Sequence, residues 1–162
     1  MSRTLMSRTA SSRTTLSRPD LIDPRGPRFG AWVTSAVLAG VLLLSGGPAG
    51  AVPAGLLLAA QAVVFALGTR GRSPYVLLWR QWLRRGQPAE LEAGAPPRFA
   101  QLVGLAFAVV GALGFLTGLT FLGQLATAFA LIAALLNAAV GLCLGCELFV
   151  LYKRSVTKGA TA

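Results

Sequence analysis

Residues 99–154 read "FAQLVGLAFAVVGALGFLTGLTFLGQLATAFALIAALLNAAVGLCLGCELFVLYKR". Glu147 is the only acidic residue in this stretch, and no basic residue follows Phe99 until Lys153. A hydrocarbon layer of about 30 Å is crossed by about 20 helical residues. The stretch is too long for one crossing, and "TGLTFLG" marks the place to turn. A third span is expected at roughly Phe99–Leu119. A fourth starts near Leu122 and stays apolar to Tyr152, so its last part is more than a crossing needs. Working back along the chain, "AVPAGLLLAAQAVVFALGT" (Ala51–Thr69) and "FGAWVTSAVLAGVLLLS" (Phe29–Ser45) supply two earlier spans, joined by the short "GGPAG" connection. The expected fold is all-α and integral to a membrane, with four transmembrane helices arranged as two hairpins.

Composition agrees. The 162 residues are 54% hydrophobic and only 12% charged, whereas soluble domains carry about 25% charged residues. The net charge is +10. Histidine is absent, which removes imidazole metal ligands and His-based catalysis. Both methionines lie in the N-terminal tail. No cofactor and no metal site is expected.

The basic residues orient the spans. Arg3, Arg8, Arg13, Arg18, Arg25 and Arg28 precede the first; Arg70, Arg72, Arg80, Arg84, Arg85 and Arg98 separate the second from the third; Lys153, Arg154 and Lys158 follow the fourth. Neither hairpin connection carries one. Basic loops remain in the cytoplasm, so both termini and the central loop are expected there, in a bacterial inner membrane. Flanking positions account for the basicity without nucleic acid. The expected organisation is a disordered basic tail over 1–24, one four-span domain over 25–154 and a cytoplasmic tail over 155–162. In the central loop, "SPYVLLWRQWLRR" combines Ser73 as an N-cap, Pro74 in the first turn and an aromatic-basic pattern, and reads as a short interfacial helix.

The hairpins resemble copies of one another. "GPRFGAWV" at 26–33 matches "PPRFAQLV" at 96–103, a separation of 70, and "YVLLWR" at 75–80 matches "LFVLYK" at 148–153, a separation of 73. Repeat units of about 26–85 and 96–154 follow, in one orientation and related by an axis along the membrane normal. A separation of 73 aligns Cys143 with Arg70 and Cys146 with Ser73, near the cytoplasmic surface.

Cys143 and Cys146 are the only cysteines in the chain. A Cys-x-x-Cys pair can serve thiol redox or sulfur relay; the plainer reading is two small apolar fillers. On an unbroken helix, Ala130, Ala134, Asn137, Gly141 and Gly145 form a small-residue stripe, with the thiols roughly opposite it. A break at Gly145 would make Cys146 an N-cap with a lowered pKa, and Cys146 is expected to be labelled more readily than Cys143. Glu147 is read as a proton acceptor for Cys143, or as an interfacial carboxylate paired with Lys or Arg. Asn137 either lines a substrate path or forms an interhelical hydrogen bond. Gln61, Gln101 and Gln124 are treated alike.

The segments "IDPRGPRF", "FALG", "SPY", "PPRFAQLVG" and "LNAAVGLCLGCE" resemble a bacterial membrane family, domain of unknown function 4395, from about Ile22 to Arg154. The resemblance implies a small multi-span protein without an established activity, often encoded beside thioredoxin-like or rhodanese-like proteins. The lipid bilayer, such a cytoplasmic protein and a second copy of the chain are the expected partners. Three functions follow: a cytoplasm-facing dithiol serving a soluble partner, a transporter of a sulfur-containing solute, or a structural subunit of a membrane complex.

Overall fold

The computed structural model describes residues 21–47, 49–83, 86, 92–93 and 95–159. The tail expected over 1–24 lies outside these up to residue 20, as do Arg84, Arg85 and residues 160–162.

Four helices are long and apolar enough to cross a membrane: α1 (Arg25–Ser45), α2 (Ala51–Thr69), α4 (Ala95–Leu116) and α5 (Thr120–Val140). Pro27, and Pro96 with Pro97, sit in the first turns of α1 and α4, where a missing N–H costs no helical bond. Two shorter helices follow the second and fourth spans. The first, α3 (Pro74–Leu78), runs into a wider π-helical turn over Trp79–Leu83; the second is α6 (Leu144–Gly159). Strand β1 (Leu21–Ile22) pairs antiparallel with β2 (Glu92–Ala93), with Ile22 opposite Glu92.

The spans form a ring in which α1 packs on α2, α2 on α4, α4 on α5 and α5 on α1, while α3 lies on α1 and α6 on α4. Leu38, Val41, Leu58, Phe65, Ala108 and Phe115 are core residues between them. Small residues set the closest approach. A Cβ at Gly114 would lie 2.7 Å from the Gly123 nitrogen, so α4 and α5 pack backbone to backbone. Large apolar side chains turn outward instead: Leu43, Phe121 and Val140 are largely exposed. A water-soluble bundle would bury such residues; a bilayer solvates them.

Buried polar groups tie helices together. The Tyr75 hydroxyl donates to Gln61 Oε1 at 2.8 Å, and Gln61 Nε2 donates to Thr34 Oγ1 at 3.4 Å. Gln124 Nε2 donates to Ser45 Oγ at 3.3 Å. Gln61 and Gln124 thus make the interhelical bonds expected of them.

The fourth apolar run is not continuous. Gly141 has φ +73, a left-handed conformation that a Cβ disfavours, and α5 ends there. Gly71, just past α2, also has φ +73. The break is therefore four residues earlier than Gly145, and the long small-residue stripe is cut. The positive-φ glycines Gly71 and Gly141, the starts of α1 and α4, and the starts of α3 and α6 are all 70 apart. The separation of 73 expected near the chain end does not describe this turn: the residue 70 positions before Cys143 is Ser73, not Arg70. Helix α6 continues to Gly159, through the segment read as the start of the C-terminal tail.

Candidate functional site

Cys143 immediately precedes the first residue of α6. Its carbonyl accepts the backbone N–H groups of Cys146 at 2.9 Å and Glu147 at 3.0 Å, closing the first turn. The N-cap cysteine is thus Cys143, whereas a break at Gly145 would have made it Cys146. The Cys146 thiol and the backbone N–H groups of Cys146 and Gly145 face the Cys143 sulfur and favour its thiolate. The Cys146 thiol lowers the Cys143 pKa most and the two amides lower it further, while burial and the Glu147 carboxylate oppose them. The result is a fall from the ordinary 9.0 to about 7. At neutral pH much of Cys143 is thiolate, the nucleophilic form. Neither cysteine is in a disulfide, and both are half-buried.

Glu147 occupies the first turn of α6, where its charge suits the helix dipole. Its side chain is exposed. Neither Glu147 nor Cys146 lines the cavity described next, whereas Cys143 does.

A cavity of about 320 Å³ lies in the basic-end half of the four-span bundle, beneath α3 and the start of α6. Cys143 and Asn137 both line it, so the structure brings together two of the four residues singled out from the sequence. Ala130 and Ala134 of the severed stripe line it as well. Asn137 makes no hydrogen bond among the described residues, contrary to the interhelical bond considered for it. Gln101, also in the wall, makes none either; it packs so closely on α2 that a Cβ at Gly68 would fall 2.5 Å from its Oε1. Among the described residues no charged side chain lines the cavity.

Thr34 and Tyr75 complete its polar lining, with Ser73. The sequence reading did not assign them to a site, because their convergence depends on α3 folding back across α1. A signal was present for Cys143: the pattern Gly, any residue, then a helix-capping residue occurs at 71–73 and again at 141–143.

The family model described as Domain of unknown function (DUF4395) matches residues 22–154. The chain belongs to that family. No curated protein and no solved structure gives a significant match.

Proposed function

We propose that this chain is an inner-membrane protein whose Cys143–Cys146 dithiol exchanges electrons with a soluble partner at the cytoplasmic face. The observation that carries the reading is the pair of cysteines brought together in the first turn of α6, where the Cys143 carbonyl accepts the Cys146 N–H at 2.9 Å. In the reduced protein the Cys143 thiolate attacks a partner disulfide and forms a mixed disulfide, and one partner sulfur leaves as a thiolate. Cys146 then attacks Cys143; the intramolecular disulfide closes and the partner departs with both thiols reduced. Two electrons pass, and the sequence runs equally in reverse. A thioredoxin-like or rhodanese-like protein is the expected partner class. In the cytoplasm a dithiol is otherwise kept reduced, so turnover needs such a partner.

Orientation rests on the charge pattern: all fifteen basic residues flank the ends of the spans that carry the termini and the central loop. On this reading α3 and α6 lie in the inner interface, with Trp82, Leu148 and Tyr152 exposed toward it. Two contacts support descent of the hairpins from one duplicated unit. Ile22 pairs with Glu92, 70 positions on, as a two-fold axis between copies requires. The Arg28 guanidinium abuts Gly141 and that of Arg98 abuts Gly71, a reciprocal exchange of the same two positions.

The test is a thiol titration of the detergent-purified protein in glutathione buffers, with a Cys146→Ser variant to trap the mixed disulfide. An intramolecular disulfide at a defined potential and a trapped adduct on Cys143 are expected. If no intramolecular disulfide forms and the two thiols react alike at the rate of free cysteine, the redox function is wrong.

A further inference from the structure

We propose that the cavity beneath α6 binds a lipid-soluble quinone, and that this quinone accepts the electrons of the Cys143–Cys146 dithiol. The inference rests on the dithiol reading above and adds its membrane acceptor.

Ligand pockets run from about 300 to 1,000 Å³; at about 320 Å³ the cavity suits a single ring system. The wall is mostly Ala, Val, Gly, Pro and Phe, and among the described residues it contains no charged side chain. That lining would not retain sulfate, thiosulfate or an anionic peptide, whose charge would stay unpaired in a low-dielectric site. It suits a neutral, largely apolar molecule. Two carboxamides, Asn137 on α5 and Gln101 on α4, supply N–H groups that no described residue accepts. Both side chains are half-buried, so their polar ends are open to the cavity. A carbonyl-bearing ring would accept from both, and a quinone carries two carbonyls. Phe107 and Phe129 belong to the wall and are themselves exposed. At that level the cavity is one side chain from lipid, so a ligand dissolved in the bilayer has a short way in.

Cys143 supplies the chemistry from the same wall. Its thiolate adds to a quinone ring carbon, forming a C–S bond and placing negative charge on oxygen. The Cys146 sulfur attacks Cys143; the S–S bond forms as the C–S bond breaks, and the electron pair stays with the ring. The two protons of the dithiol pass to the two quinone oxygens. One dithiol becomes one disulfide, and one quinone becomes one hydroquinone. The disulfide is then available to oxidise the soluble partner.

The test uses the full chain in detergent, reduced, desalted and mixed anaerobically with decylubiquinone, whose fully substituted ring resists permanent alkylation. Exchange with glutathione disulfide is measured in parallel as the readout of the dithiol alone. Hydroquinone equal to the protein and loss of both thiols are expected, and both disappear in Cys143→Ser. Asn137→Leu, which removes a hydrogen bond, and Ala133→Phe, which fills the cavity, are each expected to lower the ratio of quinone reduction to glutathione exchange by about tenfold. If the wild type exchanges with glutathione but reduces no more quinone than the cysteine variant, the quinone inference is wrong and the dithiol reading stands. If it does neither, both fail. Quinone reduction unaffected by both cavity variants would place the acceptor elsewhere and overturn the site.

Discussion

The guanidinium of Arg28, in the first turns of α1, lies against Gly141, in the space a Cβ would need. Gly141 ends α5 at φ +73. A cation therefore sits at a helix C-terminus, where the backbone carbonyls make it favourable. Gly141→Ala is expected to destabilise the detergent-solubilised protein by about 1–2 kcal/mol from the left-handed backbone alone, with a further cost from the clash. In an Arg28→Ala background the clash component should vanish, making the double mutant less damaged than the sum. Thermal unfolding of the four proteins decides it; strictly additive costs would mean that Arg28 and Gly141 do not interact.

The pKa of Cys143 gives a signed pH dependence. Its native value is about 7, below the ordinary 9.0. Folding therefore favours the thiolate, and the associated stability is present above the unfolded pKa and lost as pH falls through about 7. The alkylation rate at Cys143 should rise across that same midpoint. Cys146→Ala removes the largest lowering influence, so the midpoint should move up toward 9.0. A rise of one unit cuts the thiolate at pH 7 from about one half to about one tenth. An unchanged rate profile in Cys146→Ala would show that the two thiols are not hydrogen-bonded.

Gly145 is buried at the α6–α4 contact, where a Cβ would lie 2.6 Å from Ala100 Cα. Neither backbone can yield cheaply. Gly145→Val is expected to cost about 1–3 kcal/mol, as overpacking does, and to lift the start of α6 from α4. Since Cys143, Gly145 and Leu148 roof the cavity, labelling of Cys143 by a small maleimide should accelerate. The same labelling rate in mutant and wild type would argue against this packing.

Tyr75 joins α3 to the bundle through Gln61. Tyr75→Phe leaves the ring and removes one hydrogen bond, so a loss of about 0.5–1.5 kcal/mol is expected. Gln61→Leu should cost more, because Gln61 is buried and serves both Tyr75 and Thr34. Chemical unfolding of the two variants orders them; equal losses would remove Gln61 as the hub.

A membrane-impermeant maleimide should label the dithiol in inside-out vesicles and leave it unlabelled in intact spheroplasts. Cys143 should react first near neutral pH, the reverse of the order expected from a break at Gly145, because Cys143 holds the N-cap position. Labelling from the outer face would overturn the orientation and move the dithiol to an oxidising compartment.

The sequence by itself determined the four spans, because crossing a bilayer is a local matter of length and hydropathy. Ala51–Thr69 was read with the bounds it has in the fold, and the family resemblance over Ile22–Arg154 rests on the same local patterns. The sequence also singled out the cysteines and Asn137 by their rarity in apolar surroundings. Tertiary structure decided where α5 stops, because a left-handed turn at Gly141 is held against a residue more than a hundred positions away. That break made Cys143 the N-cap in place of Cys146 and invalidated the helical wheel that set the thiols opposite Asn137. Only the packing of α3 and α6 across the ends of α1 and α4 could bring Asn137, Gln101 and Cys143 to one cavity. Those contacts join side chains from four helices, and no local period along the chain encodes them.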